Sequence, residues 1–235
     1  MGENGKVGIV MCTWRRVERL HITLDLLTKQ TNRNFIFYIW NNNVNEVDNI
    51  NYICEKYVNS LTIEIFHSDV NVGGMGRFLY SKKQINVHDK FIYIDDDQEF
   101  SENMVNIFLS EYDENAIKSR WSWRFNNDTY TNRKKISISD VKVHYCGTGG
   151  MILPSKIFSY DELYKIPKEF QFVEDLWISY IAHHHMKMDL ISITDNFITN
   201  INDNKNLTSD SSFYNVKNKF LKHLINERGW NILKY

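Results

Sequence analysis

Carboxylates cluster where an apolar run ends: Phe91-Ile92-Tyr93-Ile94 is followed at once by Asp95-Asp96-Asp97. Four apolar residues in a row have the pattern of a buried parallel strand. Side chains alternate along a strand, so a strand persisting to Asp97 would turn Asp95 and Asp97 to one face and Asp96 to the other. Open α/β sheets bind ligands at the carboxyl ends of their strands. Two carboxylates held together repel, and a hard divalent cation relieves the repulsion. Mg²⁺ or Mn²⁺ held by a few carboxylates completes its shell with phosphate oxygens and water. The triplet therefore reads as a metal site for a phosphorylated substrate; a plain acidic turn after a strand is the competing reading. A second acidic pair, Glu174-Asp175, stands at the start of a predicted helix, and two glycine-rich strings, 71–77 and 147–150, lie between predicted elements.

These residues need a scaffold, and the periodicities supply one. Val7–Thr13 reads as a first strand. Val17, Leu20, Leu24 and Leu27 then form one helical stripe. Phe35–Trp40 is a second strand ending in Asn41-Asn42-Asn43, 49–57 a helix, and 61–66 a third strand. Asn71 to Arg77 is expected as a flexible loop entering a helix near 78–83, before the strand 91–94. Alternating strands and helices imply a parallel sheet with right-handed crossovers. Further on, 101–110 is a predicted helix, 121–135 lacks clear periodicity, and 141–153 reads as one strand interrupted by Gly147-Thr148-Gly149-Gly150. Residues 172–185 should be helical and 189–193 a strand. Residues 213–227 should form a basic amphipathic helix stopping at Gly229.

Composition narrows the classes. The chain has 235 residues, 43% hydrophobic, with two prolines, enough for one large α/β domain. A net charge of −1 excludes a generic nucleic-acid binder, which would be basic. Cys12, Cys54 and Cys146 fit no zinc or CxxC spacing and suit reduced thiols. No apolar stretch approaches the roughly 20 residues of a membrane span, and no signal-peptide pattern precedes the first strand. The expected location is cytoplasmic, with attachment to a membrane surface through the C-terminal helix as the minor option.

The order of these features resembles a GT-A-fold glycosyltransferase, most similar to the inverting enzymes of the family 2 type. The resemblance covers residues 7 to about 195. It rests on the first strand ending in Thr13, the second ending in Asn41-Asn42, Asn71-x-Gly73-Gly74, Asp95-x-Asp97, Gly147–Gly150 and Glu174-Asp175. It implies a single α/β domain of Rossmann-like, mixed and mostly parallel sheet flanked by helices. Residues 1–100 would bind the nucleotide sugar, 101–200 the acceptor, and 201–235 form a C-terminal helical extension. It implies transfer from a nucleotide-diphosphate sugar, a UDP-sugar as first choice, to a hydroxyl of a glycan, lipid-linked or protein-linked acceptor, with Mn²⁺ or Mg²⁺. Thr13, Arg15, Asn41, Asn42, Asn71, Gly74, Arg77, Asp95, Asp96, Gly149 and Gly150 would contact the donor. Asp95 and Asp97 would hold the metal, Asp97 most directly. Asp175 would be the general base, with Glu174 as alternate. Family members often have aspartate where Asn41-Asn42 stand, which leaves the base identity open; Arg77 is expected to reach a phosphate or to be a solvated loop arginine.

Other readings compete. A sugar-phosphate nucleotidyltransferase would carry a glycine-rich basic loop after the first strand, and Cys12-Thr13-Trp14-Arg15-Arg16 has no glycine. A phosphatase would need Thr or Val where Glu99 stands. An inactive nucleotide-sugar-binding module would have no use for Glu174-Asp175. His183-His184-His185 cannot chelate jointly from one helix face, because neighbours point about 100° apart. Trp121 and Trp123 suit either a sugar platform or the core.

Overall fold

The computed structural model describes residues 6–201 and 211–232. The chain alternates β1 (Val7–Thr13), α1 (Leu20–Thr28), β2 (Phe35–Asn41), α2 (Val47–Glu55), β3 (Ile63–His67), α3 (Met75–Lys83) and β4 (Lys90–Ile94). β5 (Gln98–Phe100), α4 (Met104–Glu111), β6 (Ala116–Ser119), β7 (Ser122–Phe125), β8 (Arg133–Ile136), β9 (Val141–Lys142), β10 (Tyr145–Cys146) and β11 (Met151–Pro154) follow. α5 (Glu174–Tyr180), β12 (Asp189–Ser192), β13 (Ile198–Asn200) and α6 (Ser211–Asn226) complete it.

The main sheet has eight strands in the order β3-β2-β1-β4-β11-β6-β12-β9. β3, β2, β1 and β4 are mutually parallel, as the βαβ crossovers require. β11 reverses the direction against both β4 and β6. Alternation along the buried strands splits the core in two. Ile9, Met11, Ile39, Ile92 and Ile94 pack with α1, α2 and α4 on one face, and the α1 stripe Leu20, Leu24 and Leu27 is fully inside it. Val10, Tyr38, Trp40, Phe91 and Tyr93 pack on the other face with Phe78 of α3, Trp177 of α5 and Phe220 of α6.

Three local expectations fail, each for a tertiary reason. β4 ends at Ile94, and Asp95-Asp96-Asp97 form a turn into β5, which pairs antiparallel with β13. The two-face alternation expected for the aspartates therefore does not operate. The stretch 141–153 is three strands rather than one: β9 and β11 belong to the main sheet, while β10 joins β7 and β8 in a separate three-stranded sheet. The unpatterned stretch 121–135 contains the β7–β8 hairpin of that small sheet, whose partly solvated strands need no continuous apolar run. In addition, α3 starts at Met75, so Arg77 sits in a helix and not in a flexible loop.

Candidate active site

A cavity of about 610 Å³ opens at the carboxyl ends of β1, β2 and β4. Its walls include Thr13, Arg15, Asn42, Asn71, Gly74, Arg77, Asp95, Asp96, Asp97, Gly149, Glu174 and Asp175. Residues remote in sequence thus meet in one space. Two expected contacts are not brought there. Asn41 is fully buried, its amide spent on the backbone of Asn43 and on His67. Gly150 has φ +93°, a region that disfavours a side chain, and packs against Arg120.

At one end stands the aspartate turn. Its shape is held by Gln98, whose Oε1 accepts from Asp95 N–H, and by Ile201 N–H donating to Asp97 O. Arg77 donates to the Asp95 carboxylate and, at 2.9 Å, to Thr148 Oγ1; it also lies 3.7 Å from Glu174. That guanidinium is buried and already bound on several sides, so it links the aspartate turn to the acidic pair and is not solvated. Arg16 donates to Asp96 at 3.2 Å, so Asp96 faces the cavity and not the opposite side of the sheet. Asp97 is the third carboxylate of the turn. Burial, then repulsion from Asp95 and Asp96, raises its carboxyl to about 7.

Close approaches explain two glycines. A Cβ on Gly149 would sit 2.3 Å from Asp95 Oδ2, and one on Gly74 would sit 1.7 Å from Glu174 Oε1. Their first role is to let carboxylates pass. Gly73, at φ +61°, is in the left-handed region open to glycine. Asn42 accepts from Val72 N–H and Trp40 Nε1 and donates to Gly73 O, so it fastens this loop from the cavity wall.

At the other end α5 begins with Glu174 and Asp175. Glu174 is buried, and burial first, then Asp175, lifts its carboxyl to about 7 against the pull of Arg77. Asp175 is engaged differently. Its Oδ2 accepts from Tyr145 Oη and, at 2.6 Å, from Lys217 Nζ. Lys217 also donates to Tyr130 Oη at 3.1 Å and reaches Tyr145 Oη at 3.4 Å. Burial disfavours its ammonium, but Asp175 and Tyr130 more than offset that and raise its proton affinity. The sequence pattern alone does not single out Lys217. One signal was present: on α6 it shares a stripe with Phe213, Phe220 and Leu224, lying 4, 3 and 7 residues from them. A lysine on an apolar stripe asks for a buried partner.

The remaining motifs sort cleanly. Trp121 lines the cavity, with Trp123 edge-on at 5.7 Å behind it. Trp14 and Arg15 line both the main cavity and a neighbouring groove, with the Arg15 guanidinium stacked 3.8 Å over the Trp14 ring. The triple histidine forms a widened turn, Ile181–His185, away from the cavity, where His183 accepts from Trp230 and His185 bridges Tyr160 and Tyr180.

The residues present fit a divalent cation of the partly ligand-completed kind. Among the described residues no group of three or more His, Cys, Asp or Glu forms a cage. Yet Asp97 Oδ1 and Thr13 Oγ1, on the same cavity, are buried without a hydrogen-bond partner among the described residues. Buried polar atoms are rarely left so. One or two carboxylates with ligand phosphates suffice for Mg²⁺ or Mn²⁺.

No family model matches this sequence, and no curated protein does. Solved structures do match. Staphylococcus aureus TarS 1-349 in complex with UDP-GlcNAc aligns with TM-score 0.67 at 16% identity, covering 97% of this chain and 70% of that one. The mannosyltransferase PcManGT of Pyrobaculum calidifontis, in complex with GDP-Man and Mn²⁺, aligns with TM-score 0.63 at 9% identity, covering 88% and 60%. GalNAc-T7 with UDP, GalNAc and Mn²⁺ aligns with TM-score 0.60 at 13% identity, covering 82% and 43%. Against the longer structure of TarS this chain spans 40% of the length. The fold is GT-A: a single domain with a mixed, mostly parallel sheet between helical layers. No helix among the described residues is long and apolar enough to cross a membrane.

Proposed function

We propose that the chain is a glycosyltransferase that moves a sugar from a nucleotide-diphosphate sugar, a UDP-sugar by first choice, to an acceptor hydroxyl with inversion. One observation carries this reading. A single cavity holds the aspartate turn at one end and an acidic pair on a helix N-terminus at the other. The neighbour structures with UDP-GlcNAc, GDP-Man and Mn²⁺ support the donor class and the cation.

Thr13 and the Trp14-Arg15 corner flank the nucleoside. Asp97, with Asp95 beside it, would hold Mn²⁺ or Mg²⁺. The bound cation would neutralise charge on the departing diphosphate. Arg77 keeps Asp95 and Glu174 in place. Asp175 takes the proton of the acceptor hydroxyl as its oxygen attacks the anomeric carbon. One base and no second nucleophile imply direct displacement. The acceptor, a glycan or a lipid-linked or protein-linked saccharide, enters past Trp121 and Phe172, both on the cavity wall. The acidic pair distinguishes this reading from a module that only binds nucleotide sugars.

The test is a thermal-shift screen of UDP- and GDP-sugars with and without Mn²⁺, followed by UDP release and NMR of the product anomer. A cation-dependent rise in melting temperature with one nucleotide class is expected, because a ligand that binds only the native state stabilises it. No shift with any nucleotide sugar would overturn the donor assignment, and a retained anomer would overturn the mechanism.

A further inference from the structure

The C-terminal helix α6 enters the candidate active site through one side chain. Lys217 is buried, and its ammonium has three oxygen neighbours: Asp175 Oδ2, Tyr130 Oη and Tyr145 Oη, at 2.6, 3.1 and 3.4 Å. An ammonium has three protons to give, so this cage matches its donors. The helix itself is anchored: Phe220, Leu221 and Leu224 lie in the core, and the Phe220 ring stacks on Phe170 with centroids 4.3 Å apart. Lys217 is therefore presented from a rigid element. Asp175 Oδ2 is taken by Lys217 and Tyr145, while Oδ1 accepts from the N–H of Leu176, its own neighbour.

We propose that Lys217 is the positioning residue of the general base: it pins Oδ2 of Asp175 and thereby makes Oδ1 the oxygen that accepts the proton of the acceptor. This rests on the glycosyltransferase reading above. The groups facing Asp175 are Glu174 on its own helix, Tyr145 from β10, Tyr130 from the β7–β8 connection and Lys217 from α6. Among these Lys217 is the cation. A base must be held in line with the proton it takes, and an ammonium fixes a carboxylate oxygen through a charge-assisted hydrogen bond. A structural ion pair would serve folding alone; a positioning pair must also alter the chemistry through Asp175.

The experiment uses the whole chain with UDP-GlcNAc and Mn²⁺, reading UDP released with water as acceptor. Lys217→Met should lower kcat about tenfold or more, less than the roughly 10²–10⁴ of losing the base itself, with KM for UDP-GlcNAc within about twofold. Lys217→Arg, which keeps the charge, should recover part of the loss. In an Asp175→Asn background, Lys217→Met should cost no further rate, because residues acting as a unit are not additive. A rise in KM with kcat unchanged, or an equal rate loss in both backgrounds, would overturn the proposal. A double-mutant cycle read by chemical denaturation separates the two readings. The destabilisation caused by Lys217→Met should be smaller in the Asp175→Asn background than in the wild type, whichever donor the enzyme prefers, and equal destabilisation in both would sink the coupling even if the enzyme is active. Should that cycle behave as expected while no nucleotide sugar is turned over, the glycosyltransferase reading fails and the Lys217–Asp175 coupling stands.

Discussion

The two ends of the cavity handle buried carboxylates in opposite ways. At the aspartate end three carboxylates adjacent in sequence meet two arginines, Arg77 on Asp95 and Arg16 on Asp96. The third, Asp97, has one oxygen without a hydrogen-bond partner among the described residues and a carboxyl raised to about 7. At the α5 end two adjacent carboxylates differ in their partners. Glu174 lies against Arg77 with its carboxyl also raised to about 7. Asp175 is clamped by a lysine and a tyrosine from distant segments. The aspartate end keeps a carboxylate oxygen without a partner among the described residues, whereas at the α5 end Asp175 is held by Tyr145 and Lys217. Uncompensated buried charge invites a ligand, whereas compensated charge marks a side chain whose geometry must not drift.

The sharpest way to break this contrast is Asp175→Asn. It keeps the shape but replaces one of the two accepting oxygens with an NH₂ group and removes the proton acceptor, so turnover should fall by roughly 10²–10⁴ while calorimetric UDP affinity with Mn²⁺ stays nearly constant. Loss of UDP binding instead would move Asp175 to the aspartate end.

Next comes Arg77→Met, at the joint between the ends. Asp95 and Glu174 would lose their shared cation inside the fold, a change that typically costs about 3–5 kcal/mol. Chemical denaturation should show that loss. An unchanged midpoint would mean that the two ends are independent.

Asp97→Asn tests the open carboxylate. The Mn²⁺-dependent part of UDP affinity should drop by about tenfold or more, the scale on which one lost charge-assisted contact acts, with cation-free affinity little altered. Equal losses with and without Mn²⁺ would assign Asp97 to the nucleotide directly.

Glu174 offers a pH test. Its folded carboxyl titrates near 7, above the ordinary value of 4.5. Between those values the folded state holds a proton that the unfolded state has lost, so this group's contribution to stability falls as pH rises from about 4.5 to about 7. Glu174→Gln mimics the protonated form. Melting curves should therefore show the variant gaining on the wild type across that window and levelling off above it. The histidines whose proton affinity burial lowers, His88 and His144 among them, act in the opposite sense. The difference between variant and wild type cancels them. A pH-independent difference would show that Glu174 is ionised throughout.

The smallest effect belongs to Asn42→Ala. Its amide ties Val72 and Gly73, so its removal should cost about 1–3 kcal/mol, the cost of leaving buried groups unpaired, without changing the preference between UDP and GDP. A changed preference would return Asn42 to the nucleotide base.

Local patterns carried much of the scaffold. The α1 stripe, the buried strand 91–94 and the parallel order of the first four strands were legible because each follows from burial repeating at a fixed period. Asp95 and Asp97 stood out because charge abutting an apolar run is costly unless it has a use, and Glu174 and Asp175 stood out through the family resemblance. The turn at Asp95–Asp97 was not legible, since it depends on β5 finding β13 a hundred residues later. Nor was the division of 141–153 between two sheets, because two-residue strands carry no period.

The amino-acid sequence by itself determined which residues carry the charge and roughly which strand end presents them, because those are properties of a contiguous segment. Which carboxylate pairs with an arginine, and which is pinned by a lysine and a tyrosine, was decided only in three dimensions. Arg77, Thr148 and Glu174 meet across α3, the glycine loop and α5, and Lys217 reaches Asp175 from 42 residues away. Coulomb and hydrogen-bond energies depend on separation in space and on the water excluded between groups. Neither quantity exists until the helices have docked on the sheet.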